Sequence, residues 1–331
     1  MKTKQKLLLF MAAFIATTLI LIMEASAAQI VIKVGSSYQP GVPADRGVAR
    51  FAELVKQRTD GRIEVQHFGA WQLGAEKDLA EGARLGTIQF SFISPGMIGS
   101  FVREFTIFPA PYLFRDLDHY LKVVRGPIGK ELSEKVVKAA GFRLLNMGWY
   151  WGVRHITTRK TPVYRPDHLK GQKIRTPDVP AYVDTIRALG ATATPMAMSE
   201  VYTSLQTGTI DGQENPSRNI KAYNLQDVQK YIILDGHIIQ CEAPVINERF
   251  WQSLSEGDRK IISMSMLEAE DFQNALQLRE EREALTWLQE VGGMTAIVPD
   301  LDAFQAATAK TFPEKYRNVW GDLWERIKAV Q

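Results

Sequence analysis

The hydrophobic pattern near the start of the chain predicts a strand, a helix and a second strand in close succession. Residues 29–35 are β-branched and alternate with polar positions, which is typical of a strand. Across residues 43–58 the apolar side chains recur at helical spacing, and the Thr-Asp-Gly sequence at 59–61 ends the helix. Residues 63–68 form the second predicted strand. This succession predicts a βαβ unit with parallel strands and a right-handed crossover.

Helices and strands continue to alternate along the chain. The first half adds a predicted helix at 76–85, a strand at 88–93, a helical stretch at 117–140 and a strand at 142–147. A second α/β unit begins near Val153, with strand-like runs at 152–158, 171–177 and 193–196 and helices at about 181–189 and 199–206. Glycine-rich nucleotide-binding motifs follow none of the strands, so the sequence predicts an α/β protein without a nucleotide cofactor.

A helical tract of some 34 residues, from Asp258 to Val291, is longer than an ordinary globular helix. It must therefore bend, break or bridge two lobes. No flexible linker separates the two α/β units, which indicates that the chain crosses between them several times. Such crossings place a cleft at the hinge.

The first 27 residues predict export. Lys2, Lys4 and Lys6 precede an uncharged run from residue 7 to residue 23, and small residues follow at 25–28. This order is typical of a secretory signal peptide, with cleavage after Ala27. The alternative is an uncleaved membrane anchor, since 17 uncharged residues just reach the minimum length of a span. We expect an exported protein whose mature chain is soluble.

Charge and cysteine content exclude several classes of protein. The full chain has 40 Lys and Arg against 37 Asp and Glu, and residues 1–27 hold three of the lysines and one glutamate. The remaining 37 basic and 36 acidic residues argue against nucleic-acid binding. Cys241 is the only cysteine, so no intramolecular disulfide forms, and we expect a buried structural thiol there. The five histidines lack metal-ligand spacing, and no metal site is predicted.

Several segments carry side chains suited to a small acid. Arg154 and Arg175 each lie near the end of a strand-like run, and an arginine fork binds a carboxylate bidentately. The alternatives for each are a salt bridge to Asp or Glu or a solvated strand end. A predicted tight Asp-Gly turn presents Gln213, Glu214 and Asn215, and the proline that follows fixes Asn215 in an extended conformation, although an ordinary turn accounts for the segment equally well. Glu76 lies at the start of a predicted helix, where the positive end of the helix dipole favours an acidic residue, so its presence there does not require a ligand. Tyr150, between Trp149 and Trp151, predicts either an aromatic pocket wall or core packing.

Taken in order, these segments resemble the periplasmic substrate-binding proteins of tripartite ATP-independent (TRAP) transporters, of the DctP type. The resemblance covers essentially the whole mature chain. The matching stretches are FAELV with TDG at 51–61, QLG with Glu76, LKGQKIRTP at 169–177, GA with TPM at 190–196, and EVY through LQTG to IDGQENP at 200–216.

The resemblance implies a two-lobed fold that closes on its ligand, with a long helix that spans both lobes. Lobe I would comprise residues 28–152 and about 241–280, and lobe II residues 153–240 and about 281–331. It implies that Arg175 pairs with the ligand carboxylate, that Arg154 adds contacts, and that Asn215 and Glu76 meet the ligand. The early loop, with Ser37, Tyr38 and Gln39, would line the site.

The resemblance also implies a ligand and a partner. Some sialic-acid-binding relatives have a phenylalanine after the TPMA segment where this chain has Met198, which argues against sialic acid. We expect a hexuronate or similar sugar acid, with a C4-dicarboxylate or a 2-oxo acid next. The protein would be a monomer that docks transiently on the membrane permease and performs no chemistry. The alternatives are an exported enzyme that acts on an organic acid and the binding component of a sensor.

Overall fold

The computed structural model describes residues 30–309 and 311–331, so the predicted signal peptide at 1–27 lies outside the described residues. The strands are β1 (Ile30–Gly35), β2 (Ile63–Phe68), β3 (Phe90–Ile93), β4 (Phe142–Leu144), β5 (Trp149–Thr158), β6 (Lys173–Thr176), β7 (Thr192–Pro195), β8 (Gly212–Pro216), β9 (Tyr231–Asn247) and β10 (Thr295–Ile297). The α-helices are α1 (Pro43–Arg58), α2 (Glu76–Leu85), α3 (Pro95–Ile98), α4 (Leu117–Arg125), α5 (Pro127–Ala139), α6 (Pro180–Ala188), α7 (Val201–Thr207), α8 (Ser217–Ala222), α9 (Glu248–Ser253), α10 (Glu256–Glu290), α11 (Leu301–Ala309), α12 (Thr311–Trp320) and α13 (Leu323–Lys328). The α/β prediction is confirmed.

The first lobe is built on the predicted βαβ unit. Strand β1 pairs in parallel with both β2 and β3, and β3 pairs antiparallel with the second half of β9. Helix α1 packs its apolar face on this sheet, where Val48, Phe51 and Val55 are fully buried. Burial of such a stripe supplies most of the stability of the helix.

The second lobe has the strand order β9-β5-β8-β6-β7. Strands β5 and β8 are antiparallel, whereas β8, β6 and β7 run parallel to one another. This arrangement puts Arg154 on β5 and Arg175 on β6 with β8 between them. The residues of β8 therefore separate two buried guanidinium groups.

Strands β5 and β9 and helix α10 connect the lobes. The first half of β9 pairs with β5 and β10 and its second half with β3 and β4. Helix α10 packs on α1 from the first lobe and on α8 from the second. Its amide side chains are hydrogen-bonded to the backbone of β5, since Asn274 accepts from Tyr150 N at 2.8 Å and Gln277 donates to Trp151 O at 2.7 Å. The predicted long helix therefore lies along the hinge.

Four local expectations need correction. Residues 213–215 lie within strand β8 and not on a tight turn, because they pair with β5 on one side and Gln213 with β6 on the other. The helical stretch at 117–140 is two helices, since Pro127 begins a new one after Gly126. Strand β9, for which no strand was predicted, is the longest strand among the described residues. The fourth correction concerns the C-terminus.

Residues 311–328 pack largely on the first-lobe core, although 281–331 were expected to accompany lobe II, and Lys315 and Tyr316 also contact Asp184 on α6 of lobe II. Phe312, Trp320 and Ile327 belong to the same buried cluster as Phe105 and Leu132. The Trp320 indole donates to Thr106 Oγ1 at 3.0 Å. By contrast, α11 contacts lobe II through Phe304.

None of the helices in residues 30–309 and 311–331 combines the length and apolar character that a membrane span requires.

Candidate ligand-binding cleft

A cleft of about 530 Å³ lies between the lobes, a size that suits a small organic molecule. Both lobes and the connecting strands contribute to its wall. The first lobe supplies Ser37, Trp71, Glu76, Lys77, Phe92 and Met97, the second lobe supplies Arg175, Asp178, Met196, Met198, Asn215, Asn219 and Tyr223, and β5 and β9 supply Trp151, Arg154, Gln240 and Glu242.

Arg175 presents a buried guanidinium to the cleft. The residue is 4% exposed, and its Nε and Nη2 donate to the Met196 carbonyl oxygen at 3.1 and 2.8 Å. Among the described residues no carboxylate oxygen lies within 4.0 Å of it. Burial lowers the pKa of Arg175 to about 10, and the charge of Arg154 acts in the same direction against the attraction of Glu214. An anion in the cleft would relieve this destabilisation.

Arg154 lines the same cleft but already has a carboxylate partner. Its Nε forms an ion pair with Glu214, and Nη2 donates to Glu214 Oε1 at 2.9 Å. Nη1 donates to Gln240 Oε1, and the guanidinium lies 5.2 Å from the centre of the Tyr182 ring. The salt-bridge alternative therefore describes Arg154 in this structure, and its contact with a ligand stays a prediction.

Glu214 extends this pairing into a buried polar network. His237 Nε2 lies 3.4 Å from Glu214 Oε2, and His237 Nδ1 lies 2.8 Å from Asp235 Oδ2. Burial opposes ionisation of Glu214, but Arg154 and His237 together lower the pKa of its carboxyl. Against the same burial, Asp235 raises the pKa of His237 to about 9. The network is charged and internally balanced.

Two carboxyl groups contribute to the remaining polar wall. Glu76 begins α2, and its Oε1 accepts from Ser94 N at 2.6 Å. Glu242, on β9, is 7% exposed, and its Oε1 accepts from Gln240 Nε2 at 2.7 Å. Burial and the nearby charge of Glu76 hold the pKa of Glu242 well above its usual range. This end of the cleft offers oxygen atoms to ligand hydroxyls.

Asn215, Met198 and Ser37 line the cleft, and their contact with a ligand stays a prediction. Asn215 is 4% exposed, and its Nδ2 donates to Gln213 Oε1 at 2.5 Å, which orients the amide. The Met198 sulfur lies 3.8 Å from the same Nδ2. The structure thus brings the segments that carry these residues to one wall.

The structure does not place Tyr38, Gln39 or Tyr150 on the cleft wall. Tyr38 is buried behind it, with its ring stacked on Trp151 at a centroid distance of 5.2 Å. Gln39 borders a small separate pocket beside Trp151. Tyr150 donates its hydroxyl to Glu281 Oε2 at 2.5 Å, so it connects β5 to α10. Tyr38 therefore supports the cleft wall from behind, and Tyr150 supports the hinge.

Glu242, Gln240 and Tyr223 line the cleft without having been identified from the sequence. Gln240 and Glu242 occupy alternate positions in an apolar run, and alternate residues of a strand share a face. Two polar residues on one face of a buried strand were the available signal.

No cluster of three or more potential metal-ligating side chains occurs in residues 30–309 and 311–331.

Two α/β lobes, a hinge of crossing strands and a cleft with a buried guanidinium define a solute-binding protein of the periplasmic type. The family described as bacterial extracellular solute-binding protein, family 7 (DctP), matches residues 34–320. The chain belongs to this family. Its members are substrate-binding transport proteins that bind small carboxylates and work with a membrane permease in TRAP transporters. The family match confirms the resemblance, and the similar solved structures confirm the two-lobed fold.

Relatives with known names share this architecture. A solute-binding protein of Roseobacter denitrificans is 34% identical over 295 residues, 88% of this chain and 90% of that protein. Its crystal structure with bound L-galactonate gives a TM-score of 0.85 over 92% of this chain and 99% of that chain. The C4-dicarboxylate-binding periplasmic protein DctP of Rhodobacter capsulatus is 33% identical, over 95% of this chain and 92% of that protein. A TRAP solute-binding protein of Pseudomonas putida with bound D-glucuronate is 31% identical, with a TM-score of 0.86 and coverage of 91% and 98%.

Proposed function

We propose that this chain captures a small sugar acid, such as a hexuronate or an aldonate, and delivers it unchanged to a TRAP membrane permease. The observation that carries the proposal is the buried guanidinium of Arg175. It is 4% exposed and has no carboxylate partner among the described residues, yet it faces a cleft. A buried charge without a partner is costly, and a ligand carboxylate supplies the partner.

The rest of the wall favours a hydroxylated acid. Glu76, Glu242 and Asn215 present carboxyl and amide groups, which hydrogen-bond to hydroxyls. Trp71, Trp151 and Phe92 add apolar surface that suits the carbon face of a sugar. The relatives with bound L-galactonate and D-glucuronate bind acids of this chemistry. A C4-dicarboxylate, the ligand class of the Rhodobacter relative, ranks next, followed by a 2-oxo acid.

Capture requires binding and closure only. The ligand carboxylate pairs with the free edge of the Arg175 guanidinium, and Asn215 and Glu76 contact its hydroxyls. Closure at β5, β9 and α10 then excludes water, which strengthens the ion pair. No covalent step and no cofactor take part. The mature protein acts in the periplasm after removal of residues 1–27 and works as a monomer.

Calorimetric titration of D-glucuronate, succinate and a 2-oxo acid tests this function, with each ligand recovered and examined by mass spectrometry. We expect one-to-one binding, tightest for the sugar acid, and a chemically unchanged ligand. The Arg175→Ala variant should lose the binding, whereas Arg103→Ala, an arginine outside the cleft lining, should keep it. Turnover of the ligand would support an enzyme, and unchanged affinity in Arg175→Ala would refute the proposed carboxylate site.

A further inference from the structure

We propose that Glu242, oriented by Gln240, makes the cleft selective for acids whose far end carries a hydroxyl, and against acids with a second carboxylate. This inference rests on the proposed capture of an acid by Arg175 and specifies the ligand class further.

The orientation of the Glu242 carboxyl is set by a chain of hydrogen bonds. Gln240 Oε1 accepts from Arg154 Nη1, so the amide nitrogen of Gln240 must face the other way. It donates to Glu242 Oε1 at 2.7 Å. Glu242 Oε2 has no donor among the described residues, although the residue is 7% exposed and lines the cleft. One carboxyl oxygen is therefore left for a ligand.

The charges around Glu242 disfavour a ligand carboxylate at this position. Glu76 is near enough to raise the pKa of Glu242, which adds to the effect of burial. The cation closest along the hydrogen-bond chain, Arg154, is paired with Glu214. Lys77 lies at the exposed rim of the cleft, and the exposed Asp178, which carries the opposite charge, also lines the cleft. A second ligand carboxylate would lie beside the negative charge of Glu76, and Lys77, the one cleft-lining cation other than Arg175 without a carboxylate partner among the described residues, is exposed at the rim.

A ligand hydroxyl meets no such obstacle. It can donate to Glu242 Oε2 when the carboxyl is ionised, and it can accept from the carboxyl when the carboxyl is protonated. Selectivity then follows from one group, because a site built to hydrogen-bond a hydroxyl rejects analogues that leave its buried polar groups badly paired.

D-gluconate and D-glucarate test the inference, because they share one carbon skeleton and differ only in a terminal hydroxymethyl group or carboxylate. Calorimetry should show the parent binding D-gluconate at least about 100-fold tighter than D-glucarate. The Glu242→Gln variant should narrow that ratio by about tenfold or more, which corresponds to 1.4 kcal/mol. Glu81→Gln, which changes a partly exposed residue of α2 outside the cleft lining, should keep the parental ratio.

Two results would overturn the inference. One is a parent that binds D-glucarate as tightly as D-gluconate, which needs no variant to fold. The other is a folded Glu242→Gln protein, checked by its thermal unfolding, that retains the parental ratio. Either result leaves capture by Arg175 intact, whereas a parent that binds no acid at all would instead contradict the proposed function.

Discussion

Arg154 and Arg175 lie on strands separated only by β8, and both are almost completely buried, yet their surroundings differ in one respect. The guanidinium of Arg154 is paired with Glu214, which is paired in turn with His237. The guanidinium of Arg175 has one carbonyl oxygen, that of Met196, as its acceptor among the described residues. The first charge is balanced within the fold, and the second is left for a partner from outside.

This difference separates stability from affinity. Because a buried ion pair is strongly destabilised when one partner is removed, the Arg154 region should respond to mutation in the free energy of unfolding. The Arg175 region should respond in ligand binding, because the fold already bears the cost of its unpaired charge. Four experiments test this division.

The largest expected effect follows from removing Glu214. The Glu214→Ala variant leaves Arg154 and His237 buried without their shared carboxylate. We expect the free energy of unfolding of the ligand-free protein to fall by about 3–5 kcal/mol, measured by urea denaturation at pH 7. Glu131→Ala, which removes an exposed partner of Arg326, should cost less than about 1 kcal/mol. Equal losses in the two variants would contradict the balanced network.

Removal of Arg175 should have the next largest effect, and on a different quantity. The Arg175→Ala variant should weaken sugar-acid binding by about 2–5 kcal/mol, at least about 30-fold, because the ligand carboxylate loses its cation. The unfolding free energy without ligand should stay within about 1 kcal/mol of the parent, since no ion pair is broken. Calorimetry and urea denaturation measure the two quantities. A large loss of stability without ligand would erase the contrast with Arg154.

The two arginines also show how far the sequence leads. Local patterns predict most helices, including α10, and the first βαβ unit, because their apolar periodicity is continuous. The resemblance identifies Arg175 and Asn215 as cleft residues. Which of two buried arginines is neutralised depends on Glu214, and the sequence placed Glu214 on a tight turn without indicating which arginine it pairs with. Pairing of β8 with β5 turns that carboxylate onto Arg154.

Strand β9 shows the same limit. Its 17 residues include Pro244 and two acidic positions, which weakens the strand signal, and its partners come from both lobes. The pairing of such a strand depends on contacts distant in sequence. Glu242 and Gln240 were therefore missed, and so was the packing of residues 311–328 on lobe I, which depends on contacts with α4 and α5.

The third effect is a dependence of stability on pH in the Arg154 region. The pKa of His237 is raised from 6.5 to about 9, so its contribution is fully present below pH 6.5 and is lost as the pH rises through 9. The groups that face it are Asp235 and Glu214, and His155 Nδ1 lies 3.9 Å from Asp235 Oδ1. We expect the ligand-free unfolding free energy to fall by roughly 1–3 kcal/mol between pH 6.5 and 9.5.

A His237→Gln variant serves as the control for this measurement. Glutamine keeps hydrogen-bonding capacity but does not titrate, so its stability should change less over the same range. A variant with the same pH dependence as the parent would show that another group is responsible. Ligand affinity should change little up to pH 9, because the pKa of Arg175 lies at about 10.

The smallest effect tests whether charge alone explains the role of Arg175. In Arg175→Lys the charge remains, but a single ammonium replaces a fork whose Nε and Nη2 donate to Met196 O while Nη1 has no acceptor among the described residues. We expect affinity for the sugar acid to fall about tenfold by calorimetry, with ligand-free stability within about 0.5 kcal/mol of the parent. Lysine has three donors on one nitrogen at the tip of a flexible chain, so they are not fixed in a plane with one edge on the carbonyl oxygen and the other toward the ligand. Parental affinity in Arg175→Lys would mean that the cleft needs only a positive charge, and the oriented donor would then have no part in what distinguishes Arg175 from Arg154.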